Sequence, residues 1–202
     1  LELSRFLPPS ALASRIFAGI VALLLIGTVS GLSGMPATGL LFPATLLALA
    51  AWLLKQDIAR RTVHQQGLTR FIAVCLLSGY VWLGIGALIL LSAGGTVPNS
   101  VAYGAGLHAI LLGFVFAMVF GHAPIIFPAI LGVRLPYHSL FYLPLAVLHL
   151  SLALRVVGTL LGAAPMRSAG GALNAAALAL FVLGILVSVA RGASDSARGP
   201  SR

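Results

Sequence analysis

The chain has 202 residues, of which 60% are hydrophobic and 7% charged, with a mean hydropathy of +1.10. Soluble domains carry about 25% charged residues, and no soluble core hides this much apolar surface, so the solvent this sequence is built for is lipid. The net charge of +9 is scattered, with a single cluster at Lys55, Arg60, Arg61 and Arg70 around Asp57, which membrane topology explains without a nucleic-acid partner.

The opening stretch 1–10 is too polar and too often interrupted by proline to be a signal-peptide core. The chain begins at Leu1 rather than Met, as a fragment or a processed product does. Six apolar runs then reach spanning length, about 20 residues, at 12–32, 37–54, 71–92, 101–121, 137–160 and 171–190. Turn chemistry separates them at 31–36, 94–99 and 162–165, and the charged stretch 55–70 is the longest polar loop. Gly79, Gly84 and Gly86 in the third run, and Ala172, Ala175, Ala176 and Ala179 in the last, are small enough for close helix contact. Cys75, the only cysteine, reads as a small core filler and excludes an intrachain disulfide. The expected fold is one all-α, polytopic transmembrane bundle of about six spans over 1–191, followed by a polar, disordered tail over 192–202.

Lys and Arg set orientation. Arg5, Arg15, the 55–70 cluster, Arg134 and the tail from Arg191 fall on one side, and the opposite loops hold only Arg167. That predicts an even number of spans with both termini in the cytoplasm, and the lipid bilayer as the first partner. The acids are Glu2, Asp57 and Asp195, none within a span. Carboxylate-coupled transport needs an intramembrane acid. A Ser–His hydrolase built on Ser139 or Ser151 lacks the acid that orients the histidine.

The chemistry lies in His108, His122, His138 and His149. An imidazole in hydrocarbon is costly unless it is paired or ligating, and histidine is a common metal ligand and an axial ligand of haem iron. His108 and His122 lie within about 40° of one helix face, about 21 Å apart, and His138 and His149 are nearly eclipsed about 16 Å apart. The two runs are antiparallel, so His122 can face His138 and His108 can face His149, clamping a haem iron or holding copper with a further ligand. If the fourth helix continues through Pro124 and Pro128 instead of ending near Gly121, His122 sits deeper and can pair with His149. Arg155 could hold a haem propionate with its planar fork, or snorkel to headgroups; Arg134 could hold one at the inner face, or be only a positive-inside marker. His138 and His122 also suit hydrogen-bonded residues near a helix end, and His64, in the charged loop, reads as solvated.

The stretch from His108 to Gly121 reads H-x4-G-F-x6-G through Gly113 and Phe114. It resembles a histidine-bearing helix of the haem-copper oxidase superfamily and is most similar to the NnrS family of haem- and copper-containing membrane proteins. The matching residues are His108, Ala109, Gly113 and Met118, then Gly121-His122, then Leu154-Arg155-Val156. The resemblance covers 103–157, extending toward 187. The family is about twice as long, and Ala123-Pro124-Ile125 stands where it has Thr-Gly-Arg. The resemblance implies haem b and copper as cofactors, a place in a bacterial inner membrane, and a tie to nitric oxide stress and denitrification.

The expected function is therefore a haem-binding, or haem- and copper-binding, membrane protein acting in electron transfer or diatomic gas binding, with a redox partner or respiratory complex. His108 and His149 are the first ligands and the metal-binding pair; His122, His138 and Arg155 complete the cofactor site. The alternative is a non-catalytic scaffold or assembly subunit of a respiratory complex, and the third reading is a small transporter.

Overall fold

A computed structural model of the chain describes residues 11–32, 39–132 and 137–197. The stretch 1–10 with Glu2 and Arg5, the turn residues 33–36, Arg134, the side chain of Asp195 and the end of the expected tail, 198–202, lie outside them. The described residues form helices α1 (Ala11–Leu32), α2 (Leu41–Gln56), the short α3 (Ala59–Thr62), α4 (Gly67–Ser92), α5 (Val101–His108), α6 (Phe116–Leu131), α7 (Tyr142–Leu160) and α8 (Ala164–Ala197). A π-helical segment, Ala109–Val115, joins α5 to α6, and a 3-10 turn, Ser139–Phe141, leads into α7. There is no strand among the described residues.

Five helical segments are long and apolar enough to cross a membrane: Ala11–Ser30, Gly67–Ser92, Val101–Ile130, Ser139–Leu160 and Ala164–Arg191. The second expected span is the shorter α2, whose 16 residues rise about 24 Å against a hydrocarbon thickness of about 30 Å. Large apolar side chains point outward, as in Leu150 at 73% and Leu161 at 71% exposed, which is stable only where the surroundings are themselves apolar. The molecule is a membrane-embedded helical bundle.

α4 is the central element. On one side α2 packs Leu46 and Ala50 against Leu83 and Ala87, and α1 leans on α2 where Gly27 meets the Phe42 backbone. On its other side α4 runs antiparallel to the α5–α6 helix along a seam of small residues. Gly86 faces Gly106 and Ile110, Gly113 faces Trp82, Gly79 faces Ala117 and Met118, and Gly121 faces Cys75. A methyl group on Gly106 would lie 2.8 Å from Leu90, so the backbones are as close as glycine allows. Van der Waals contact of this kind drives helix association where lipid removes the hydrophobic incentive.

Two buried clusters tie α7 and α8 to this framework. At one end Phe71, Cys75, Phe120, Phe141, Leu145, Leu148, Phe181 and Ile185 interlock, with the Phe120 and Phe181 rings stacked at 3.8 Å. At the other end Ala105 and Ala109 meet Leu152 and Val156, flanked by Trp82, Ile85, Ile89 and Leu112. α7 and α8 form a tight hairpin: a methyl on Gly158 would sit 2.7 Å from the Arg167 nitrogen, and one on Gly170 would sit 2.6 Å from the Arg155 nitrogen. The expected small-residue face of α8 is corrected here. Ala172, Ala175, Ala176 and Ala179 are exposed, and Gly170, Asn174, Ala177, Phe181 and Ile185 face inward, because helical periodicity admits only one such stripe.

Polar contacts are few. Ser151 on α7 donates to Asn174 Oδ1 on α8 at 2.7 Å, with the Leu148 carbonyl also in reach at 3.0 Å. The hydroxyl has one proton for these two acceptors, and Asn174 Nδ2 is buried without a partner. Turning the amide by 180° lets Ser151 donate to Leu148 and accept from Asn174, which satisfies both side chains better.

The fourth helix departs from the expected end near Gly121. It continues through Pro124 and Pro128 to Leu131, and Gly132 stops it in the left-handed region (φ 65°), its N–H closing on the Pro128 carbonyl. Gly132 supplies the positive φ at the least steric cost. α8 likewise stays helical to Ala197, into the stretch expected as tail.

Candidate functional site

The four histidines expected at membrane depth fall into two chemical classes, with His138 just ahead of the Ser139–Leu160 segment. His108 Nδ1–H donates to the Gly104 carbonyl at 2.6 Å, one helical turn back. His122 Nδ1–H does the same to the Met118 carbonyl at 2.8 Å. In both, the ring is fixed with the Nε2 lone pair free, the tautomer that metal-ligating histidines adopt when a backbone carbonyl holds the other nitrogen. His108 is half-buried and His122 exposed.

His149 and His138 are the opposite. Trp82 on α4 donates its indole Nε1–H to His149 Nδ1 at 2.9 Å. His149 Nε2 therefore carries the proton and donates to Ser78 Oγ at 3.0 Å, and Ser78 donates in turn to the Cys75 carbonyl at 3.1 Å. The indole and imidazole planes are 21° apart. Both nitrogens of His149 are used, and no lone pair is left for a metal. His138 accepts the Leu140 N–H at 3.2 Å, capping the 3-10 turn from an exposed position. Replacing Trp82 by phenylalanine is expected to cost about 1 kcal/mol, the scale of an interhelical hydrogen bond in a membrane protein, read by thermal unfolding in detergent. Unchanged stability would mean that the indole–imidazole bond carries nothing.

Register decides which histidines meet. Val156 shares a cluster with Ala105 and Ala109, and Leu152 closes on Gly113. His108 thus stands within about a turn, roughly 5 Å, of the level of Arg155, and His149 lies about 9 Å further along the bundle. The expected facing of His108 and His149 is offset by that distance, with His149 turned to α4. His122 is about 21 Å from His108 on the same continuous helix. It lies near the level of Phe141, since Phe120 packs with Phe141 and Leu145, well away from His149. Among the described residues no three His, Cys, Asp or Glu side chains converge as a metal site.

His108 and Arg155 fall on the same side of the bundle. On α5, Ala105 and Ala109 face α7 and Gly106 faces α4, so at about 100° per residue His108 turns to the side away from α4. On α7, Leu152 and Val156 face α5 and His149 faces α4, so Arg155 turns the other way, toward α8. The two side chains flank the α5–α7 seam on one side. The guanidinium lies over Gly171, where a methyl group would collide with it, and the Arg155 backbone rests on Gly170. Its Nε is buried without a hydrogen-bond partner. Asp57, the one acidic side chain among the described residues, is occupied elsewhere by the Tyr80 hydroxyl at 2.7 Å and the Ala59 N–H at 2.8 Å. Beside His108 there is room, since a methyl on Gly104 would touch nothing within 4 Å. The π-helical segment begins immediately after His108; such turns are rare and frequent at functional sites.

Arg134, the other arginine considered for a propionate, lies outside the described residues. Trp82 and Ser78 were not singled out in the sequence, although a buried indole N–H normally seeks an acceptor, and that rule points to a polar partner in an otherwise apolar bundle.

Fold and site together define a membrane-embedded helical bundle with an imidazole held at Nδ1 by a backbone carbonyl and an arginine whose buried Nε has no partner. Over residues 1–190 the chain matches, and belongs to, a family described as a domain of unknown function (DUF8744). No curated protein and no solved structure matches it.

Proposed function

We propose that the protein binds haem through His108, with Arg155 on a propionate, and that it serves diatomic gas binding, including nitric oxide, or electron transfer in a bacterial inner membrane. The observation that carries this reading is His108 itself. Its Nδ1–H is pinned to the Gly104 carbonyl, which leaves the Nε2 lone pair available, with open space beside Gly104 and, on the same side of the α5–α7 seam, a guanidinium whose Nε has no partner. An imidazole and an arginine on one side of the α5–α7 seam match the two things a haem presents, an iron that takes a nitrogen ligand and carboxylates that take a planar fork. When bound, haem supplies an iron that exchanges an electron and coordinates a small gas. His122 offers a second free lone pair, but about 21 Å away along the same helix, so one imidazole would serve the haem, which favours gas binding over pure electron transfer. Copper would need ligands that the described residues do not bring together. The NnrS-like relationship, a redox partner, and six crossings with both termini cytoplasmic belong to the same proposal. The basic cluster at one end of α4 supports that orientation.

The test is absorbance of the protein purified after expression with haem supply, oxidised and reduced, with and without nitric oxide. A Soret band that shifts with the gas is expected; its absence overturns the reading. One observation favours a second reading, a scaffold or assembly subunit of a respiratory complex. His138 and His149 spend both their fixed geometry and their Nδ1 lone pairs on holding helices and turns together. A tight complex with a larger enzyme, and no metal by elemental analysis, would decide for it.

A further inference from the structure

α2 is too short to accompany α4 along its whole length. Ala50 lies beside Gly84 and α2 ends at Gln56, so the early turns of α4 are flanked by the α3 segment instead. A groove of about 540 Å³ opens there, lined by Leu54, Arg60, Val63, His64, Val74, Leu77, Ser78 and Val81. Its mouth is cationic. Arg60 and His64 line it directly, both exposed, and Lys55, Arg61 and Arg70 stand nearby in sequence. The neighbouring acid, Asp57, has one carboxylate oxygen bonded to Tyr80 and the other to the Ala59 N–H, which holds it on the bundle side. Its wall is apolar and runs from Val74 to Val81, about 10 Å along α4, ending at Val81, which is 50% exposed. The groove therefore opens sideways into whatever surrounds the bundle.

We infer that this groove holds an anionic phospholipid, its phosphate between Arg60 and His64 and the upper part of one acyl chain along Leu77, Val81 and Leu54. Charge complementarity selects the headgroup, as it does in basic pockets that bind anionic lipids at membrane surfaces. The sideways opening selects the chain, because the apolar material beside an exposed face of a spanning helix is lipid. The lipid would lie one hydrogen bond from the Ser78–His149–Trp82 chain, since Ser78 both lines the groove and meets His149. This inference stands without the haem reading.

The experiment uses the full chain in a neutral detergent. Phosphatidylglycerol, phosphatidylcholine with the same chains, and inorganic phosphate are each added, and bound lipid is read by native mass spectrometry alongside thermal unfolding. Phosphatidylglycerol is expected to be retained and to raise the unfolding temperature, with phosphatidylcholine and phosphate doing neither. The double variant Arg60→Ala/His64→Ala, at exposed positions, is expected to weaken retention by about fivefold or more, and Arg167→Ala at the far end to leave it unchanged. Val74→Trp, which fills the groove, is expected to abolish retention, and the exposed double variant decides alone if the tryptophan variant does not fold. Equal retention of the two lipids, the same stabilisation by inorganic phosphate, or wild-type retention by the double variant would overturn the inference.

Discussion

Replacing His108 by alanine is expected to abolish haem retention, while replacing His149 by alanine leaves it largely intact at a cost in stability. The difference follows from tautomers. His108 offers a lone pair held in place by the Gly104 carbonyl, and an orienting partner of this kind is what makes an imidazole a good ligand. His149 has its Nδ1 lone pair engaged by the Trp82 indole and its Nε2 proton engaged by Ser78. Freeing it would break two bonds inside the bundle. Arg155→Ala is expected to weaken haem binding without removing the Soret band, because it removes a propionate contact and not the iron ligand. The check is haem content per chain by pyridine haemochrome for wild type and the three variants. Retention unaffected by His108→Ala would remove that residue from the site.

Gly170→Leu is expected to separate α7 from α8 and to cost about 2–3 kcal/mol, the usual scale for forcing bulk into a packed contact. Even a methyl at this position would lie 2.6 Å from the Arg155 nitrogen and 2.8 Å from its Cα. Those are backbone atoms, so a rotamer change cannot relieve the overlap. The same step lifts the surface on which the Arg155 guanidinium rests, so haem affinity should fall together with stability. Ala172→Leu is the control. It adds one carbon less, on the same helix at an exposed position, and is expected to change stability by no more than about 0.5 kcal/mol. Thermal unfolding in detergent distinguishes the two, and equal behaviour would show that the α7–α8 contact is not close-packed.

The fold was legible in the sequence to the extent that apolar run length is the signal. Each of the six runs became a helix, with the second too short for the criterion the other five meet. The fourth was harder, because Pro124 and Pro128 suggest an end, yet the helix carries on to a glycine that terminates it cleanly. The site was only partly legible. Single-helix arithmetic assumes an unbroken α-helix, whereas His138 stands in extended backbone ahead of the 3-10 turn and a π-helical segment separates His108 from His122; a pair across two helices further depends on their register. That register is fixed by small residues such as Gly106, Gly113 and Gly170, whose partners lie far away in sequence. The offset between His108 and His149 follows from those contacts, as does the turn of His149 toward Trp82. The π-helical segment after His108 leaves no recognisable sequence signature.

Electron paramagnetic resonance of the ferric, haem-loaded protein tests the proposed site most directly. A single histidine ligand with an open opposite position gives a high-spin signal that changes when nitric oxide is added, and that is the expected spectrum. A low-spin spectrum of two imidazoles, unaffected by the gas, would mean that a second histidine reaches the iron. That result would contradict a site built on His108 and Arg155 alone.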